Sequence, residues 1–229
     1  GTGQRVASWN LDGGANTNFA STGTVTTSSV SMTSAHTVNF NSVTQYQVSL
    51  DSGAAAALSS ITNPTVPGDA GWYDSDTSVT YVGLGVFGRS SGTGTRSTSW
   101  YWDSNTATSV STVSTFSSSA VSMGASHTIH VTTVVQWQVS LDSGATGALA
   151  SLTSPTVSDD NYWYDSGNSV TLSLNGVYGR ISGTGTRLTG YKINGGSTVP
   201  VSTAGTVTVL NALSITSAQS ITTTTVVQY

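Results

Sequence analysis

Gln45-Tyr-Gln-Val-Ser-Leu-Asp-Ser-Gly-Ala54 returns almost unchanged as Gln136-Trp-Gln-Val-Ser-Leu-Asp-Ser-Gly-Ala145, so the chain repeats with a period of 136 − 45 = 91 residues. Gly92-Thr-Gly-Thr-Arg96 keeps the same offset to Gly183-Thr-Gly-Thr-Arg187, and Gly1-Thr-Gly-Gln-Arg5 precedes both. A period this long describes a domain-sized module and not a solenoid turn. It also supplies an internal control, because a functional motif should survive from one copy to the next.

Within each period the periodicity is that of strands. Ser126-His-Thr-Ile-His-Val131, Ser169-Val-Thr-Leu-Ser-Leu174 and Gly205-Thr-Val-Thr-Val209 alternate polar and apolar residues, the pattern of half-buried β-structure. Turn clusters such as Asp12-Gly-Gly, Asp51-Ser-Gly and Asn194-Gly-Gly interrupt them. The fold class expected is all-β: tandem β-sandwich, Ig-like modules of about 91 residues in a rod. Residues 1–44 read as an incomplete half-module, 45–135 as a complete module, and 136–229 as a second complete module ending in an unpaired strand. The Ala54–Ala57 run reads as a loop, because its copy is Ala-Thr-Gly-Ala. Neither 37–50 nor 128–141 contains Gly or Pro, so a strand closing one module should run straight into the next.

Ser and Thr make up about a third of the residues, charged residues only 7%, and Glu and Cys are absent. Ordinary domains carry near 25% charge, so hydroxyls and amides cover this surface. Such composition suggests an extracellular or cell-surface protein. The absence of Cys excludes disulfides, thiolate chemistry and Cys-based metal sites. A net charge of −4 argues against nucleic acid as partner, and no apolar run is long enough to span a membrane as a helix.

Motifs that suggest chemistry fail against their own copies. Gly88-Arg-Ser-Ser-Gly92 matches a nucleophile elbow, but its copy has Ile181 in place of the serine. Gly83-Leu-Gly-Val-Phe-Gly88 matches a dinucleotide fingerprint, but its copy begins with Leu174. Asp74-Ser-Asp-Thr-Ser78 loses its second acid in Asp165-Ser-Gly-Asn-Ser169, which removes the oxygen ligands of a calcium loop. His36 and His127 become Gln219 in the third copy, a substitution that suits a hydrogen-bonding role better than a metal ligand. No catalytic residue, metal site or cofactor is expected.

Every arginine occupies a repeated position: Arg5, Arg96 and Arg187 in one set, Arg89 and Arg180 in the other. Asp51/Asp142, Asp69/Asp160, Asp74/Asp165 and Asp12/Asp103 also repeat, with Asn194 as third member of the last set. In so uncharged a chain, Arg89, Arg96, Arg180, Arg187, Asp74 and Asp165 read as structural charge pairs. Trp100 and Trp163, each beside aromatic neighbours and an Asp, read as core anchors, with surface glycans as the alternative partner.

Trp-Tyr-Asp-Ser-x-x-Ser-Val-Thr, then Arg-x-Ser-Gly-Thr-Gly-x-Arg, then Val-Val-Gln-Tyr resembles the tandem extracellular β-repeats of archaeal and bacterial surface proteins. The divergent internalin-type B-repeats are similar. The Ser/Thr-rich, Cys-free composition also resembles hyperthermophile pilus subunits that assemble by donor-strand exchange. The resemblance implies a stalk, filament or adhesin without catalytic residues. The expected partner is therefore another copy of the chain, in a head-to-tail homopolymer, with Ile221, Thr223, Thr225, Val227 and Tyr229 as the polymerisation strand. The alternatives are a glycan-binding adhesin and a fragment of a longer surface repeat protein.

Overall fold

A computed structural model describes all residues 1–229. The protein is all-β, with 55% of residues in strands and 5% in helices, a strand content more than twice the usual share. In chain order the principal elements begin with β1 (Thr2–Leu11), β2 (Val38–Leu50), α1 (Ser52–Ala57), β3 (Trp72–Asp74) and β4 (Tyr81–Leu84). Next come β5 (Val86–Ser90), β6 (Thr93–Trp102), β7 (His127–Leu141), α2 (Ser143–Ala148) and β8 (Trp163–Asp165). The last are β9 (Ser169–Asn175), β10 (Val177–Ile181), β11 (Thr184–Ile193), β12 (Thr206–Ser214) and β13 (Gln219–Gln228).

The chain forms two compact units. Unit 1 holds residues Gly1–Leu84, Ser99–Val110 and Thr115–Thr132; unit 2 holds Gly85–Thr98, Ser111–Ser114 and Thr133–Tyr229. The Gly- and Pro-free stretches of the sequence are the long strands β2 and β7, of 13 and 15 residues.

In unit 1, β2 pairs antiparallel with β1 from Thr2↔Tyr46 to Leu11↔Val38. Antiparallel β3 joins it at Gln45–Gln47, and the first residues of β7 run parallel to Val48–Leu50. Leu58–Ile61, β4 and Thr115–Ser117 make a second, three-stranded sheet. Tyr73, Val79, Tyr81, Met123 and Ile129 are fully buried.

Unit 2 repeats the plan. The end of β7 pairs antiparallel with β8 and parallel with the start of β13, while β13 runs antiparallel to β11 along Gly185–Ile193. Leu149–Leu152, β9 and β12 form the other sheet. Tyr164, Val170, Leu172, Leu174, Leu188, Ile215 and Ile221 from these sheets close on one core with Ala145 and Ala148 of α2. These apolar side chains lie on alternate strand positions, as the sequence alternation requires.

Two expectations are corrected. Ala54–Ala57 is not a loop: both copies form a six-residue helix capped by an aspartate, Asp51 accepting from the Ala54 amide and Asp142 from the Ala145 amide, each at 2.7 Å. The segment 221–229 is not an unpaired strand either, because β11 fills one edge of β13 from Ile221 to Gln228. Ile221 is buried in the core of unit 2, whereas Val227 and Tyr229 are 61% and 98% exposed.

Candidate functional site

The charged residues that repeat in the sequence converge on one construction, built once in each unit. In unit 1 the Arg5 guanidinium grips Asp74, with Nε to Oδ1 at 2.8 Å and Nη2 to Oδ2. The Gln45 side-chain amide then bridges two carboxylates, donating to Asp69 at 3.0 Å and to Asp74 at 3.3 Å. The hydrogen bond to Asp74 is the main reason that the Arg5 guanidinium lies above its ordinary value; burial opposes it.

Unit 2 contains the same clamp more deeply buried. Arg96 binds Asp165 in the same two-point manner, at 3.0 and 2.5 Å. Gln136 donates to Asp160 at 2.9 Å and to Asp165 at 3.2 Å. Arg89 closes the far side, donating to Asp160 and to Gln136 Oε1, and lies 4.2 Å from the centre of the Trp163 ring. Two-point Arg–carboxylate geometry and cation–π stacking are the strong forms of these interactions. With Gln136 fully buried and Arg96 only 6% exposed, loss of one partner would strand a buried charge.

A second construction uses Asp51 and Asp142. Besides capping its helix, Asp51 accepts from the Val131 amide at 3.3 Å and lies 3.1 Å from His130 Nδ1. Asp142 accepts from the Thr223 amide at 2.7 Å and from its hydroxyl at 3.0 Å. Each carboxylate therefore fixes a helix and the strand beside it together.

The histidine positions are explained by the turns opposite them. Asp12 receives His36 and the Thr37 amide, and Asp103 receives His127 and the Thr128 amide, all within 2.8 Å. In the third copy both partners change together: Asn194 donates to Gln219 at 2.9 Å and accepts from the Ser220 amide at 2.8 Å. Asp12, Asp103 and Asn194 all have φ near +53°, the left-handed conformation that Asn and Asp tolerate best. Bonding to His36 and Thr37 lowers the Asp12 carboxyl; burial raises that of Asp103, but His127 and Thr128 outweigh it and the net shift is down. No group of three or more His or Asp side chains is placed to hold a metal ion.

The remaining predicted residues are placed as follows. Trp100 is buried in unit 1, and Trp163 is half-buried with the Arg89 guanidinium over its ring. Arg187 is half-buried and Arg180 exposed, and neither reaches a carboxylate. Of the strand 221–229, Ile221 and Thr223 are held inside unit 2, while Thr225, Val227 and Tyr229 are exposed. Gln45 and Gln136 are the residues that sequence reasoning missed, although their identity between copies was the available signal. No helix is long and apolar enough to cross a membrane.

By fold and site this is a β-repeat protein in which Arg5, Arg89 and Arg96 are paired with aspartates in internal clamps. No family model, curated protein or solved structure matches the chain.

Proposed function

We propose that the chain is a non-enzymatic structural protein of the extracellular surface, made of tandem Ig-like modules and joined head to tail with further copies by β-strand complementation. One observation carries the reading. Each clamp takes its two-point arginine from the closing half of one period and its glutamine and aspartates from the opening half of the next, so consecutive periods are fastened by ion pairs, part-buried in unit 1 and buried in unit 2. The pairs are Arg5 with Asp74 and Arg96 with Asp165, reached across 69 residues in both cases.

Fastening of this kind suits a protein that transmits load along a chain of modules. The low charge, the absence of Cys and the hydroxyl-rich surface support an extracellular setting. Beyond Ile221, the edge of β13 opposite β11 pairs with no strand, and such edges recruit further strands. Sedimentation of the purified chain over a wide concentration range, with electron microscopy of the same samples, tests the proposal. Head-to-tail oligomers or filaments are expected. A monomer at every concentration would sink it.

A further inference from the structure

The three Gly-Thr-Gly turns end in glycines that occupy equivalent positions, Gly3, Gly94 and Gly185. At Gly3 an added Cβ would lie 3.3 Å from the Trp72 ring, and at Gly94 it would lie 3.3 Å from the Trp163 ring. Both glycines are thus the floor of a seat for tryptophan. At Gly185 no ring arrives. Arg180 Cγ stands 2.9 Å from the same point and the Tyr178 carbonyl oxygen 3.8 Å, and a pocket of about 480 Å³ opens there. Gly183, Gln228 and Tyr229 also line it.

The other parts of the clamp are present around this pocket. Arg187 corresponds to Arg5 and Arg96, Arg180 to Arg89, and Gln228 to Gln45 and Gln136. Gln228 stands opposite Gly185 across the β11–β13 ladder. The degree of burial records what is missing: Arg96 is buried and Arg187 half-buried, Arg89 half-buried and Arg180 exposed, Gln136 buried and Gln228 half-buried.

We propose that Gly185, Arg180, Arg187 and Gln228 form a docking site for an extended acidic–aromatic segment in which an Asp precedes a Trp-Tyr-Asp triplet by two residues or so. The ligand chemistry is read from the two filled copies, where the outer carboxylates are spaced alike, Asp69 to Asp74 and Asp160 to Asp165. In both, the triplet adds antiparallel to the strand that carries the glutamine, Gln45↔Asp74 and Gln136↔Asp165. The Ser75 and Ser166 amides then donate to the Thr44 and Val135 carbonyls at 2.8 Å. At the open site the corresponding acceptor is the carbonyl of the exposed Val227. The Trp would settle on Gly185 beneath Arg180, one carboxylate would meet Arg187 in two-point fashion, and the other would meet Arg180 and the Gln228 amide.

Both segments of this kind within residues 1–229 are already engaged, so the occupant is a further segment of the same acidic–aromatic chemistry. The inference deepens the reading above and rests on it, because there the arginines of one period are closed by the opening half of another. The site itself is tested separately, with a synthetic peptide of residues 157–168 titrated into the full chain by calorimetry. Saturable one-to-one binding is expected. Asn at both peptide positions that correspond to Asp160 and Asp165 should weaken it at least about tenfold, as should R187Q or R180Q in the protein, because charge-assisted hydrogen bonds are lost. Circular dichroism of the variants checks that they stay folded. No saturable binding, or binding indifferent to R187Q and R180Q, overturns the site. Sedimentation with excess peptide separates the two readings. Oligomers that the peptide dissolves support both. Oligomers untouched by peptide overturn the site alone, and peptide binding by a permanent monomer supports the site while overturning assembly.

Discussion

Gly53 and Gly144 occupy the same place in two copies, yet substitution should not cost them equally. A Cβ at Gly53 would lie 1.9 Å from the Val131 carbonyl oxygen, whereas at Gly144 it would lie 2.2 Å from the Thr223 hydroxyl. A strand carbonyl cannot move without breaking its ladder; a threonine side chain can rotate and give up its 3.0 Å bond to Asp142. Gly53→Ala should therefore destabilise by about 1–3 kcal/mol or more, and Gly144→Ala by nearer ~1 kcal/mol. Urea unfolding of both variants checks the order, and equal midpoints would contradict it. Tyrosines give a second test at this scale. Burial pushes the Tyr81 and Tyr164 phenols up to about 12, each donating to a carbonyl, Ala54 at 2.8 Å and Thr153 at 2.6 Å. An unfolded tyrosine ionises near ~10, so this contribution to stability is whole below about pH 10 and is lost as pH rises toward 12. Ultraviolet titration should show these phenols ionising last, together with unfolding; complete ionisation near pH 10 with the fold intact would refute it.

At the scale of elements, the clamp makes the strands that carry Arg96 and Arg187 unequal although their sequences are nearly the same. Arg96→Gln leaves Asp165 buried without its cation, a loss of about 3–5 kcal/mol. Arg187→Gln touches no ion pair and should stay within about 0.5 kcal/mol. Thermal melting of the two variants measures the difference. How much of this was legible follows from how local each signal is. Strand alternation and the turns are local, so the all-β class could be read directly. The helices α1 and α2 were missed because a six-residue helix has almost no propensity of its own; the Asp51 and Asp142 caps and the packing of buried Ala54, Ala57, Ala145 and Ala148 hold it. The partner of β13 was missed for the opposite reason. Its pairing with β11 reaches across β12, which belongs to the other sheet, and is set by packing, which β-propensity does not encode. The Asp–His turns could have been read from the joint change to Asn194 and Gln219, since two positions that alter together across copies imply contact.

For the molecule as a whole, carboxylates are the groups that tie its turns, helices and strands to one another. All ten acidic residues are aspartates, and eight accept side-chain or capping hydrogen bonds: Asp12, Asp51, Asp69, Asp74, Asp103, Asp142, Asp160 and Asp165. Asp12 and Asp103 titrate below the ordinary carboxylate range. A depressed folded value means that their contribution is whole above the unfolded pKa of about 3.9 and is lost as pH falls through the folded one. The share of stability that these two turns supply should thus be flat as pH falls toward 4 and be lost below it. The third copy shows how to remove part of that dependence, since Asn194 and Gln219 make the same contact without charge. Asp103→Asn alone leaves His127 facing an amide, whereas Asp103→Asn with His127→Gln reproduces the uncharged pair. The double variant should match the parent near neutral pH and lose less stability between pH 4 and 2, while the single variant should be the weaker of the two at every pH. Denaturation midpoints across that range decide the matter. Parallel acid profiles for parent and double variant would show that the turn carries none of the acid sensitivity.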